Sequence, residues 1–146
     1  MPNATGIAHV EELEIWRDGV DLVETVYRIT LAWPKHEAFG LTSQVRRSVI
    51  SVPANLAEGL GRGGHAEIAR FASIALGSLY ELDTHLIIAL RLGYSSEDDL
   101  VPVRSVVLSL IRRTLRFLRF HQRAEPEQRP RQRRLPTTNH QPPTTR

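Results

Sequence analysis

The sequence predicts an all-α protein, an antiparallel up-down four-helix bundle with a disordered basic C-terminal tail. Apolar residues recur at steps of three and four over four long segments, and no segment alternates as a β-strand does. Proline or glycine separates each segment from the next. We therefore expect a flexible N-terminus over residues 1–9, the bundle over residues 10–120 and the tail over residues 121–146.

The first helical segment spans about residues 10–32. Its apolar stripe comprises Leu13, Trp16, Val20, Val23, Tyr27 and Leu31. The segment ends at Trp33-Pro34, because the residue before a proline is displaced from helical geometry. We expect this stripe to be the face that the helix turns toward the core.

The second helical segment spans about residues 41–61, with Thr42 or Ser43 as its N-cap. Its apolar stripe comprises Val45, Val49, Val52, Leu56 and Leu60. Pro53 removes one backbone hydrogen bond inside this segment, so we expect the helix to bend near Val49 or Ile50.

The third helical segment spans about residues 65–92 and precedes Gly93, a residue suited to a helix C-terminus. Its apolar stripe comprises Ile68, Phe71, Ala75, Leu79, Leu82, Leu86 and Ala89. Three small residues, Ala72, Gly77 and Ser78, would let another helix approach closely.

The fourth helical segment opens at Ser95 or Ser96, with Asp98 and Asp99 placed for a capping box and for the helix dipole. Pro102 is expected to delay regular helix by one turn. Apolar residues cover more than one side of this segment, which indicates burial against the bundle and against another subunit. They are Val103, Val106, Val107, Leu110, Ile111, Leu115, Phe117 and Leu118.

Composition excludes several classes of protein. The chain has no cysteine, so disulfide frameworks, thiolate metal clusters and cysteine nucleophiles are excluded. No apolar run approaches the roughly 20 residues of a membrane span, and residues 1–9 lack the features of a secretory signal. We expect a cytoplasmic protein with no membrane partner and no cofactor.

Positive charge is concentrated toward the C-terminus. The chain has 19 basic and 16 acidic residues, and residues 121–146 hold six arginines against two glutamates. Arg112, Arg116, Arg119 and Arg123 recur at steps of four, three and four, with Arg113 beside them. Such a stripe, continued by a basic tail, would meet nucleic-acid phosphates without reading bases. An ordinary solvated helix face and an inert tail are the alternative interpretation.

The run from Gly59 to Gly64 matches G-x-G-x-x-G, but a helical segment precedes it and no strand follows. A dinucleotide-binding fingerprint needs a strand–turn–helix context, so we interpret the run as a turn between helices. A weaker hypothesis is that Arg62 and this turn hold one phosphate of a nucleic acid.

Polar residues follow one side of the second segment. Together with neighbouring polar residues, the candidates for a polar network or a subunit contact are Arg46, Arg47, Ser51, Asn55, Glu58 and Glu81. A ligand site or a catalytic cleft built from Arg47, Asn55 and Glu58 is the weaker alternative. Glu81 and His85 stand four residues apart, but no Glu-x-x-His motif accompanies them, so we expect no metal site.

Several blocks of sequence resemble one known family. They are Leu13-Glu14-Ile15-Trp16, residues 39–47, residues 51–59, residues 75–82 and Leu92-Gly93-Tyr94. The chain resembles the small bacterial four-helix-bundle proteins encoded in intervening sequences of large-subunit ribosomal RNA genes. The resemblance implies a homopentameric ring and no catalysed reaction. It also implies distant kinship with the accessory proteins of diversity-generating retroelements, which bind nucleic acid and a reverse transcriptase.

The residue patterns and the family resemblance together favour a non-enzymatic homo-oligomer without catalytic residues. We expect it to be a pentamer and to associate with RNA or DNA. A reverse transcriptase or another protein is a further expected partner. The alternative is a protein-interaction or structural ring with no nucleic-acid ligand.

Overall fold

The computed structural model describes residues 6–124, which fold into four antiparallel helices. They are α1 (Glu14–Thr30), α2 (Leu41–Arg62), α3 (His65–Arg91) and α4 (Glu97–Ala124). Short 3₁₀ turns, Val10–Glu12 and Lys35–Glu37, precede α1 and α2, and no strand occurs within residues 6–124. Helix α3 packs between α2 and α4, while α1 closes the bundle against the same two helices. The predicted four-helix bundle is confirmed.

The core lies along α2 and α3. The predicted apolar stripes of both helices are buried, and Val49, Leu79 and Leu82 have no exposed surface. By length and composition, α3 is apolar enough to cross a membrane, a test that core helices of bundles also pass. Its apolar stripe is covered here by α2 and α4.

The face that α1 buries is rotated from the predicted one, although Leu13 is buried and Trp16 and Val23 pack against the core. The buried residues of the helix are Ile15, Gly19, Leu22, Val26 and Thr30, one position before the predicted stripe and so turned by about 100°. Val20 and Tyr27 are each 37% exposed and Leu31 is 78% exposed. Gly19 and Thr30 interrupt the apolar pattern of the buried row, and a Cβ at Gly19 would lie 3.6 Å from Pro53 Cβ, an ordinary van der Waals contact. Helix α2 runs unbroken through Pro53, and the bend expected just before it stays a prediction.

Glu37 joins the two turns at one end of the bundle. One oxygen of its carboxylate accepts the backbone N–H of Leu41 at 2.8 Å, and the other accepts the Tyr94 hydroxyl at 2.9 Å. These two hydrogen bonds lower the pKa of Glu37. Glu37 thus satisfies the start of α2, so the expected N-cap at Thr42 or Ser43 was wrong. Nearby, the Trp33 indole donates to Ser95 Oγ at 2.7 Å.

The turn from α3 to α4 follows the predicted signals. Gly93 has a φ of 73°, and the Tyr94 N–H donates to the Ala89 carbonyl, as in a Schellman motif. Ser96 Oγ accepts the backbone N–H of Asp99 and so caps α4. Helix α4 starts directly at Glu97, so Pro102 does not delay it. Pro102 lies in the second turn, where it costs one backbone bond on an exposed face.

At the opposite end, Gly59 sets how closely α2 and α3 approach. A Cβ at this position would lie 2.9 Å from Phe71 Cβ and 3.3 Å from Ile68 Cα. The chain then turns at Gly63 and Gly64, whose φ angles of 74° and 65° favour glycine. The predicted interhelical turn is confirmed.

Helix α4 extends beyond the predicted end of the bundle at residue 120. Its last turn contains His121, which is fully buried and packs its ring against Phe117 at 4.6 Å. His121 Nδ1 lies 2.7 Å from Nδ1 of His65, the first residue of α3. This contact ties the end of α4 to the turn between α2 and α3. Residues 1–5 and 125–146, including most of the predicted tail, lie outside the described residues.

We predict that Gly59→Ala destabilises the protein by about 1–3 kcal/mol, because the new methyl group overpacks against Phe71 and the α3 backbone. Gly61→Ala is the matched control, since nothing lies within 4 Å of its Cβ position. The control should be neutral or stabilising by up to about 1 kcal/mol, as expected for a helical glycine. Urea denaturation of both variants measures the difference, and equal stabilities would contradict the close approach at Gly59.

We predict that stability falls as the pH drops below the ordinary histidine pKa of 6.5. In the folded chain, burial lowers the pKa of His121, and the nearby His65 lowers it further by a smaller amount. The unfolded chain therefore binds a proton at a pH where the folded chain does not, so acid favours unfolding. Thermal melts between pH 7.5 and 5 measure the slope. His121→Leu should flatten this slope; an equal slope in the variant and the wild type would refute the assignment.

Candidate nucleic-acid interface

The last four turns of α4 carry the arginine stripe, defined as Arg112, Arg116, Arg119 and Arg123. All four side chains are exposed. Their spacing along the helix spreads them over about 16 Å on one side of α4. The sequence contains no acidic residue from Leu100 to Ala124, so no carboxylate of this helix segment neutralises them.

No member of the arginine stripe forms an ion pair with a described residue, whereas four of the nine other arginines within residues 6–124 do. By contrast, Arg62, Arg70, Arg104 and Arg113 are each within 4 Å of a carboxylate. Like charges three or four residues apart on a helix repel by a few tenths of a kcal/mol per pair. The arginine stripe therefore destabilises α4 slightly and has no compensating partner within residues 6–124.

Two shallow grooves follow the arginine stripe. One, of about 560 Å³, is lined by Arg116, Arg119, Phe120, Arg123 and Ala124. The other, of about 350 Å³, is lined by Arg112, Leu115, Arg116 and Arg119. The grooves share two arginines, so they form one continuous basic surface. Phe120 is 61% exposed in it and places an aromatic ring among the guanidinium groups.

Two of the predicted phosphate-binding residues are engaged elsewhere. Arg113 Nη1 lies 2.6 Å from an Asp18 carboxylate oxygen, in the groove between α1 and α4. Arg62 donates to Glu58 at 2.9 Å, and its Nη1 lies 3.7 Å from Glu67. The structure therefore separates Arg113 and Arg62 from the arginine stripe, and local carboxylates already neutralise their charge.

Ser51 and Asn55 belong to a polar network between α2 and α3. The Asn55 side-chain amide donates to Ser51 Oγ and to the Ser51 carbonyl, each at 2.8 Å. Ser51 Oγ in turn lies 2.8 Å from Ser78 Oγ, which donates to the Ile74 carbonyl. The network satisfies polar groups at a helix–helix contact. The sequence pattern identified Ser51 and Asn55, whereas Ser78 was expected only to be small.

The other predicted polar residues do not converge on this network. Arg46 donates to Thr30 Oγ1 at 3.0 Å and lies over the Tyr27 ring at 4.4 Å, so it links α2 to α1. Glu58 pairs with Arg62. Arg47 and Glu81 are exposed, with no hydrogen bond or ion pair to any residue between 6 and 124. A ligand pocket built from these side chains is not assembled in the folded chain.

Glu81 and His85, four residues apart on α3, differ in their surroundings. Glu81 is exposed, while His85 Nδ1 is buried without a hydrogen-bond partner in the described part of the chain. No three histidine, cysteine, aspartate or glutamate side chains between residues 6 and 124 come together to hold a metal ion.

The sequence analysis did not identify Phe120 or the two histidine rings that pack against it. The Phe120 ring meets His121 edge to face at 5.1 Å and His65 at 6.3 Å. A signal was present, because Phe120 stands four residues after Arg116 and three before Arg123, an aromatic residue interleaved with basic ones. The packing of His65 under it depends on the turn at Gly63-Gly64 and has no signature in the sequence.

Comparison with known proteins supports the fold and the family. A crystal structure of a protein of unknown function from the S23 ribosomal protein family of Bacteroides thetaiotaomicron has the same fold, with a TM-score of 0.64. At 16% identity, the match covers 71% of this chain and 97% of that chain. No curated protein matches. The family model described as 23S rRNA-intervening sequence protein matches residues 11–114, which is most of the chain. The chain therefore belongs to the 23S rRNA-intervening sequence protein family.

Proposed function

We propose that this protein is a non-enzymatic, homo-oligomeric accessory protein that associates with RNA and binds its phosphate backbone through the arginine stripe. The observation that carries the proposal is the set of four exposed arginines on α4 with no carboxylate partner within residues 6–124. The family is named for an intervening sequence of 23S rRNA, and we take RNA as the nucleic acid of the proposal.

Guanidinium groups suit phosphates because they are always charged and donate two parallel hydrogen bonds. Each phosphate that an arginine neutralises releases counterions, so affinity falls as salt rises. Contacts to phosphates carry no sequence information. Binding is therefore expected to be independent of sequence.

The helix dipole offers a structural explanation for only part of the arginine stripe. Cations near a helix C-terminus are stabilised, but the effect is confined to the last turn. Arg123 lies in the last turn of α4, whereas Arg112 and Arg116 lie two to three turns before the end of the helix. The dipole therefore accounts for one of the four arginines.

Self-association would multiply this charge. The outer row of α1 leaves Val20, Tyr27 and Leu31 partly or largely exposed, and Val106 and Leu108 of α4 are each more than 40% exposed. Apolar side chains on the faces of two helices fit contacts between copies of the chain. Several copies around one axis would bring their arginine stripes into one positive field and raise affinity through multivalency.

A second candidate function is a protein-interaction ring. Exposed aromatic side chains away from α4 favour it, because Phe39 is 99% exposed and Tyr80 is 56% exposed. Binding to a protein partner through such residues would depend on apolar area and tolerate salt. The response to salt therefore discriminates the two candidates.

We predict that replacing Arg112, Arg116 and Arg119 together with glutamine weakens binding to a labelled oligouridine and lowers its dependence on salt. Three lost phosphate contacts reduce the slope of log affinity against log salt by about 2 for each chain that contacts the strand. Fluorescence anisotropy at several salt concentrations measures both quantities with the full-length chain.

The matched control is the combined variant Arg28→Gln, Arg47→Gln and Arg91→Gln, which changes the net charge equally at the opposite end of the bundle. This control should bind with nearly wild-type affinity. Equal losses in the two triple variants would show that only net charge matters, and unchanged binding in the α4 variant would refute the proposed role of the arginine stripe.

We predict that light scattering gives a mass of about five times the 16.5 kDa of the chain. Val20→Glu with Leu31→Glu should shift the mass toward one chain if the outer row of α1 forms the contact, with helicity by circular dichroism unchanged. A wild-type monomer at micromolar concentration would contradict the proposed oligomer.

A further inference from the structure

We propose that the arginine stripe binds single-stranded RNA in preference to duplex RNA, with one base stacked on Phe120. This inference rests on the proposed function and specifies the ligand of the same surface. Its central observation is an aromatic ring that is 61% exposed in a groove whose other lining residues are Arg116, Arg119, Arg123 and Ala124.

The position of Phe120 suits simultaneous contact with a base and with its phosphates. Arg116 precedes Phe120 by four residues and Arg123 follows it by three, so all three share one side of α4. A strand lying along the arginine stripe would place its phosphates beside the guanidinium groups and one base against the phenyl ring. Aromatic side chains in a basic groove are the recurring arrangement of proteins that bind single strands.

The inner edge of Phe120 is held by two imidazole rings. His121 meets it edge to face at 5.1 Å with an interplanar angle of 87°, and His65 lies at 6.3 Å with an angle of 68°. His121 is itself fixed, because it is fully buried and its Nδ1 lies 2.7 Å from that of His65. The ring is therefore orientated before any ligand arrives, which reduces the entropy cost of stacking.

Stacking on Phe120 requires a base whose face is accessible. In duplex RNA the bases are stacked on one another, and the deep major groove excludes side chains. A duplex would thus contact the arginines through its phosphates and leave the phenyl ring unused. The arginines supply affinity for both ligands, whereas Phe120 supplies the preference for a single strand.

Phe120→Leu tests the inference, because leucine keeps an apolar side chain of similar reach but has no π face. The probes are a labelled twelve-nucleotide oligouridine and a twelve-base-pair RNA duplex, each measured by anisotropy with the full-length chain. We expect Phe120→Leu to weaken oligouridine binding by about 5- to 150-fold and to leave duplex binding unchanged. The salt dependence of binding should be unaltered, since no phosphate contact is lost.

Phe120→Trp is the rescue variant. It should bind oligouridine at least as tightly as the wild type, and its added tryptophan fluorescence, relative to the wild type, should be quenched when a base stacks on the indole. A structural role for Phe120 predicts neither rescue nor quenching. Thermal melts confirm that both variants remain folded.

The outcomes separate this inference from the proposed function. The inference would be overturned if Phe120→Leu bound oligouridine as tightly as the wild type does. It would also be overturned if this variant lost affinity equally for oligouridine and for the duplex. A changed oligomer mass in Phe120→Leu would also overturn it, because the ring would then be a contact between chains. If the wild type binds neither probe, the proposed function fails together with the inference. If only the triple arginine variant loses binding to both probes, the proposed function stands.

Discussion

Burial of the apolar stripe of α3 is the interaction on which the rest of the fold depends. Its members, such as Leu79, Leu82 and Leu86, have no exposed surface and lie between α2 and α4. Each fully buried leucine contributes about 1.5–3 kcal/mol relative to an exposed one. Gly59 lets α2 come close enough to cover one side of this stripe, and the Ser51–Ser78 contact satisfies the polar groups that the close approach would bury.

The two ends of the bundle are closed by different chemistry. At one end, the Glu37 carboxylate holds the start of α2 and the Tyr94 hydroxyl, so a single charge joins both loops. At the other end, His65 and His121 join the start of α3 to the last turn of α4 through a contact between their rings, which lie beside Phe117 and Phe120.

Much of the fold was predictable because its signals are local. The helix bounds, the stripes of α2 and α3, the Gly93 C-cap and the Ser96 N-cap follow from periodicity and from side chains that bond to adjacent backbone. The face of α1 was not predictable, because that helix carries two adjacent apolar rows and the row that packs inward contains Gly19 and Thr30. Which row is buried depends on packing against α2 and α4, helices that lie later in the chain.

The helical architecture, the family and the arginine stripe follow from the sequence alone, because periodicity and charge are properties of consecutive residues. Which arginines keep an unneutralised charge depends on how the helices pack. Arg113 and Arg116 look alike in sequence, yet Asp18 of another helix neutralises Arg113 while Arg116 points outward. The contact between Phe120 and His65 also depends on the tertiary structure. The two residues are more than 50 positions apart in the chain, and the turn before His65 brings its ring next to that of Phe120. Ion pairs and ring contacts between distant residues exist only once packing has brought the helices together.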